Sequence, residues 1–119
     1  MDAEAGLEHL LRARCAYVPE IVPVARALEA ALVSGDDRGT AWRDRMDELN
    51  QIVRAAVARL RLADGWTVDD ATDWVWSRIQ PTTWQHLVGE REWSAERYTD
   101  RTVGSLLQEL SARPAASPG

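Results

Sequence analysis

Helix-start signals and a proline divide residues 67–110 into two predicted helices, the first of them interrupted. Thr67 is a favourable N-cap residue, and Asp70 stands three positions later, where an acidic side chain completes a capping box in its aspartate variant. Pro81 lacks a backbone N–H group and disfavours helical geometry at the residue before it, so a helix kinks or restarts there. The pattern predicts one helix that begins after Thr67, restarts at Pro81 and runs to about Gly89.

A second helix of this stretch is predicted to begin at Ser94. Its hydroxyl is a favourable N-cap group, while Trp93 and Tyr98 occupy the two positions of a hydrophobic staple. Glu96 in the first turn complements the helix dipole, and Pro114 ends the pattern. Apolar residues recur at helical spacing between these limits, which predicts one strongly apolar face.

The residues upstream predict three further helices. Apolar side chains recur at helical spacing over residues 3–18 and again over residues 20–33, and Pro19 is expected to end the first helix or to open the second. A glycine closes the second helix, and Asp36 or Asp37 is expected to cap a third, which has one apolar face for about five turns.

Together these patterns predict a single all-α domain of about five helices over residues 1–112, followed by a disordered tail over residues 113–119. The sequence contains no strand-like alternation, internal repeat or interior linker. Cys15 is the single cysteine and cannot form an internal disulfide, so a small buried side chain is expected there.

Charge and hydropathy exclude several classes of partner. The 19 acidic residues outnumber the 14 basic ones and give a net charge of -5, so this chain alone is not expected to bind nucleic acid. It contains no apolar run of about 18 residues and no basic-then-apolar leader, so no membrane association is expected. We therefore expect a cytoplasmic protein.

Residues 67–110 also contain a longer motif. It consists of Ala71-Thr72-Asp73-Trp74-Val75-Trp76, then Pro81, Trp84 and Leu87-Val88, and finally Glu90-Arg91-Glu92-Trp93-Ser94 and Tyr98. This order resembles the last two helices of TetR-family transcriptional regulators. Glu92 and Ala95 stand where that family usually has Gly and Pro, and Arg78 stands where an apolar residue is usual. The first half of the chain also resembles, loosely, the middle helices of the family's sensor domains.

The resemblance implies an effector-sensing and homodimerisation domain with a TetR C-terminal-domain-like fold. The last two helices would pair with their copies in a second subunit as a four-helix bundle. The effector would be a small apolar or aromatic molecule. No helix-turn-helix segment precedes Leu7, so DNA would be contacted only through an N-terminal domain that this chain lacks. The residues expected at the dimer interface are Trp84, Leu87, Val88, Tyr98, Val103, Leu106, Leu107 and Leu110.

A ligand pocket is predicted where the third helix packs against the first half of the fourth. Arg78 lies one turn after Trp74 and is either a partner for an anionic ligand or a solvent-exposed side chain. An ordinary filled core is the alternative to the pocket, and a dimerisation or protein-interaction module without a ligand is the alternative function. The predicted pocket residues are Trp42, Met46, Leu49, Val53, Trp74, Val75 and Arg78.

Candidate chemical motifs have simpler explanations. Asp69, Asp70 and Asp73 match an aspartate-rich magnesium motif of isoprenoid synthases, but acidic residues in a first helical turn explain them better. His86 and Glu90 have metal-ligand spacing, yet a surface polar pair is expected because no further ligand cluster accompanies them. No catalytic residue, cofactor or metal site is predicted, and the chain is not expected to be an enzyme.

Overall fold

The computed structural model describes residues 2–35 and 37–112, which form five α-helices and one π-helical segment. The α-helices are α1 (Ala3–Val33), α2 (Asp37–Ala58), α3 (Val68–Arg78), α4 (Pro81–Trp84) and α5 (Ala95–Leu110), and the π-helical segment Gln85–Glu90 continues α4. The described residues form no strand, although an isolated antiparallel bridge joins Leu62 to Ser111. The all-α prediction is confirmed for these residues, and the predicted tail 113–119 lies outside them. None of the described helices combines the length and hydropathy that a transmembrane segment needs.

α1 is a single helix of 31 residues, which corrects the predicted interruption at Pro19. Asp2 caps it by accepting a hydrogen bond from the backbone N–H of Ala5 at 2.7 Å. Pro19 and Pro23 lie inside α1, where each removes one backbone hydrogen bond. The helix continues because buried side chains lie on both sides of each proline and pack along α2. The buried side chains are those of Leu7, Leu11, Cys15, Val18, Ile21 and Ala25.

Two glycines shape the connection between α1 and α2. Gly35 follows α1 with a φ of 79°, a left-handed conformation that glycine adopts without strain, so the predicted helix end is confirmed. Asp36, one of the two predicted caps, lies outside the described residues, and α2 begins at Asp37. Gly39 lies against the backbone of Leu32, where an added Cβ would overlap backbone atoms. The two helices therefore cross in close contact at this glycine.

The starts of α3 and α5 are capped as predicted. Thr67 Oγ1 accepts a hydrogen bond from Asp70 N at 3.0 Å, and Ser94 Oγ accepts one from Arg97 N at 3.0 Å. Pro81 is the first residue of α4, which confirms the predicted restart. Proline is favoured at this position because its missing N–H has no partner in a first helical turn.

The junction between the π-helical segment and α5 contains a left-handed residue, Glu92, with a φ of 62°. Its neighbours fix the turn, because Arg91 N donates to His86 O at 2.9 Å and Trp93 N donates to Leu87 O at 2.9 Å. A left-handed residue other than glycine costs about 1–2 kcal/mol. The backbone at Glu92 thus has the conformation that suits the glycine of the TetR-family pattern.

The hydrophobic core lies where the first half of α1 meets the second half of α2, α3 and α5. Three residues of α1 extend into it, and α5 contributes its whole apolar face. The core residues are Leu7, Leu11, Cys15, Val53, Val57, Leu60, Ala71, Val75, Ile79, Tyr98, Val103, Leu106 and Leu110. α1 packs most extensively along α2, and side chains of both helices line a groove between them.

Candidate functional site

The seven predicted pocket residues separate into three groups. Trp42, Met46 and Leu49 line one groove. Val53 and Val75 are buried in the hydrophobic core. Trp74 and Arg78 form the third group, on a different surface. The structure therefore corrects the prediction of one shared cavity. The reason is that the start of α2 packs against α1, whereas α3 packs farther along α2.

The groove runs between α1 and α2 and has a volume of about 500 Å³. Each helix contributes one stripe of side chains at three- and four-residue spacing, which places them on a common face. The lining residues are Leu10, Ala13, Arg14, Tyr17, Glu20, Ile21, Val24, Trp42, Arg45, Met46 and Leu49. Sequence reasoning missed the α1 wall because it placed a helix break at Pro19, in the middle of that stripe.

Arg14 is the unusual residue of this wall. Its Nε and Nη2 atoms are buried and have no hydrogen-bond partner in the part of the chain that the structure describes. Its guanidinium carbon lies 5.8 Å from the ring centroid of Trp76, which belongs to α3. Burial lowers the pKa of Arg14, and the groups that oppose this shift are a thiol and two phenols rather than carboxylates. The groove wall therefore contains a cation whose donors are largely unsatisfied.

A second surface, here called the outer face, is formed by Trp74, Arg78, Leu87, Trp93, Arg101 and Ser105. Trp74 is 38% exposed, and its indole N–H donates to a Glu109 carboxylate oxygen at 2.9 Å. The Arg78 guanidinium lies 5.0 Å from the Trp74 ring centroid and donates to Ser105 Oγ at 3.4 Å. Arg78 is therefore held at the surface and does not line the groove.

Half of the predicted dimer-interface residues lie inside the chain's own core. Tyr98, Val103, Leu106 and Leu110 are 0% exposed, so they contact other parts of the same chain. The physical reason is that α5 has a single apolar face, and α1 and α3 cover it. The other four residues of the predicted interface pack against the core and are half-buried: Trp84, Leu87, Val88 and Leu107.

Tyr98 and Cys15 form a buried contact between α5 and α1. The Tyr98 hydroxyl donates to the carbonyl oxygen of Arg78 at 2.8 Å and so ties α5 to the end of α3. Burial raises the pKa of the Tyr98 phenol above its usual value, and Cys15 adds to the shift. Burial also raises the pKa of the Cys15 thiol. Cys15 is a buried free cysteine, as the sequence predicts.

The remaining polar motifs form surface pairs. His86 Nδ1 lies 3.2 Å from Glu90 Oε2, and both side chains are exposed. Asp69 pairs with Arg54 at the start of α3. Within the part of the chain that the structure describes, no group of three or more His, Cys, Asp or Glu residues is arranged to hold a metal ion.

Two surfaces therefore stand out, the groove between α1 and α2 and the outer face of α3, the π-helical segment and α5. The groove is mainly apolar with one buried cation, and the outer face combines exposed aromatic and arginine side chains. Comparisons of this chain with protein-family models, with curated proteins and with solved structures found no match.

Proposed function

We propose that this chain is the effector-sensing and homodimerisation domain of a TetR-like transcriptional regulator. The observation that carries the proposal is the groove of about 500 Å³ between α1 and α2, which has the size and the aromatic and aliphatic walls of a small-molecule site. The motif of residues 67–110 supports the family. So does Glu92, whose φ of 62° falls at the position where the family usually has glycine.

The outer face is the proposed homodimer surface. Protein interfaces are enriched in aromatic residues and arginine, and Trp74, Arg78 and Trp93 provide both. Gly104 is exposed on α5 one turn from Arg101, and a side chain added there would meet open space. A second copy could approach α5 closely at this glycine, so the proposed bundle uses the exposed side of the last two helices rather than their apolar side.

A link between the two surfaces passes through α3. Arg14 in the groove lies against Trp76 of α3, and the same helix carries Trp74 and Arg78 on the outer face. In the proposed mechanism an effector that displaces Arg14 shifts α3 and changes how two copies pack. DNA-binding domains joined to such a dimer would change their spacing. This coupling requires that the effector bind one arrangement more tightly than the other.

The proposal is tested by mass measurement with light scattering over a wide range of protein concentration. We expect the wild-type chain to have twice its 13.3 kDa mass. Gly104→Arg should be a folded monomer, because the single chain has room for the new side chain but an apposed copy does not.

The matched control is Gly6→Arg on α1, where an added Cβ also meets no atom within 4 Å. This variant should keep the wild-type mass. A wild-type monomer at every concentration would remove the homodimer from the proposal. Retention of the dimer by Gly104→Arg would place the interface elsewhere on the chain.

One observation favours the alternative of a dimerisation or protein-interaction module without a ligand. Val53 and Val75, two of the predicted pocket residues, fill the core instead of lining a cavity. A thermal-shift panel of neutral and anionic apolar compounds separates the two functions, since only an effector domain is stabilised by a panel member.

A further inference from the structure

We infer that the groove between α1 and α2 binds an amphipathic carboxylate, a small molecule whose apolar or aromatic tail fills the groove and whose carboxylate pairs with Arg14. The inference rests on the proposed function and deepens it, because it names the chemical class of the effector. It depends on the unsatisfied donors of Arg14, on the charges around the groove and on the groove's apolar walls.

The first step concerns the hydrogen-bond donors of Arg14. Its Nε and Nη2 atoms are buried, and no described residue accepts a hydrogen bond from either. The Trp76 ring, 5.8 Å away, offers the charge a π face but no acceptor. Buried charged donors without acceptors are costly, and a carboxylate presents two oxygen atoms that match the planar guanidinium. A bidentate anion is thus the partner that this side chain lacks, and because protein atoms cover both donors, pairing requires the guanidinium to turn away from Trp76 toward the groove.

The second step concerns charge. Two arginines line the groove, Arg14 and Arg45, against one acidic residue, Glu20. Among the described residues no carboxylate forms an ion pair with Arg14. The groove therefore has a local excess of positive charge in a chain whose net charge is -5. This local excess favours one anionic group on an otherwise apolar occupant.

The third step concerns the walls. Tyr17, Trp42 and Met46 offer aromatic and flexible apolar surface to the tail of a ligand. The volume of about 500 Å³ lies within the range of about 300–1,000 Å³ that is usual for small-molecule sites. A second copy of the chain has a different proposed surface, the outer face, so the occupant to which we commit is a small molecule.

The test is calorimetric titration of the full chain with dodecanoate below its micelle-forming concentration and with dodecanol below its solubility limit. The two compounds have the same tail and differ in head-group charge. We expect the wild-type chain to bind dodecanoate about 10- to 100-fold more tightly, as a charge-assisted pair implies. In Arg14→Met this preference should disappear, while Arg26→Met, a matched change at an exposed position of α1, should retain it.

Arg14→Gln serves as a second variant if the methionine variant does not fold, and circular dichroism checks the fold of each. If the wild-type chain binds dodecanoate and dodecanol with equal affinity, as Arg14→Met is expected to do, the inference is overturned. The groove would then still be an effector site, but not one for carboxylates. Binding of neither compound would also overturn it, while a dimer seen by light scattering would still support the proposed function. Loss of the dimer on Trp42→Ala would overturn it as well, because a second copy would then occupy the groove.

Discussion

A change at Leu106 tests whether the apolar face of α5 belongs to the chain's own core or to a subunit interface. It is 0% exposed and belongs to the same core cluster as Tyr98 and Val103. We expect Leu106→Ala to leave a cavity and to lower the free energy of unfolding by about 2–5 kcal/mol. A chain of 119 residues has a total stability of about 6–18 kcal/mol, so the variant stays folded without denaturant.

The assay is urea unfolding followed by tryptophan fluorescence, together with light scattering. A loss of about 3 kcal/mol lowers the urea midpoint by about 1–3 M for a domain of this size. The measurement is made at two protein concentrations about 100-fold apart, because only the subunit interface makes stability depend on concentration. We expect wild type and Leu106→Ala to show the same concentration dependence and the same mass.

Leu107→Ala is the matched control, since it changes the neighbouring leucine, which is only half-buried. It should lose clearly less stability than Leu106→Ala. The assignment of Leu106 to the monomer core is refuted if Leu106→Ala turns a wild-type dimer into a monomer with native circular dichroism. In that case α5 would face its copy as the sequence predicts.

Three further predictions concern the backbone and pH. Gly39→Ala should lower the free energy of unfolding, measured by thermal unfolding, by about 1–3 kcal/mol. The added Cβ would overlap the backbone of Leu32 and force α1 and α2 apart. Glu92→Gly should raise the free energy of unfolding by about 0.5–1 kcal/mol in the same assay. It removes the strain of a left-handed residue, and the greater entropy that glycine gives the unfolded chain offsets part of this effect. The raised pKa values of Cys15 and Tyr98 mean that the unfolded chain loses these protons at lower pH than the native chain does. These two groups therefore leave the free energy of unfolding unchanged below about pH 9. Above that pH it falls by up to about 1.4 kcal/mol per pH unit for each group. The urea midpoint of Tyr98→Phe should fall less steeply with pH than that of wild type.

Local chemistry explains why parts of the fold could be predicted from the sequence. The caps at Thr67 and Ser94 and the restart at Pro81 depend on side chains within three or four residues, and all three form as predicted. The continuity of α1 through Pro19 depends instead on packing against α2, which lies far away in sequence. A local rule for proline cannot include that distant stabilisation, so it placed a helix end where none exists.

The candidate site was only half predictable for a related reason. The apolar spacing on α2 correctly grouped Trp42, Met46 and Leu49 on one face. Spacing within a helix does not reveal which neighbour covers that face, and here α1 does so rather than α3. The same limit applies to α5, where one apolar stripe suits either a subunit interface or a monomer core. Because Leu106 is completely buried within the single chain, this stripe forms part of the monomer core.

Arg14 occupies the position where sensing and dimerisation would meet. Its guanidinium lies in the groove wall and against Trp76, and α3 carries that tryptophan together with Trp74 of the outer face. Two buried donors of Arg14 have no acceptor among the residues that the structure describes, and this raises the free energy of the arrangement seen here. A carboxylate removes that cost only when it is bound. Allosteric coupling requires in addition that the carboxylate bind one arrangement of Arg14 and α3 more tightly than the other, and the contact that would make this difference lies beside the helix that supports the proposed dimer surface.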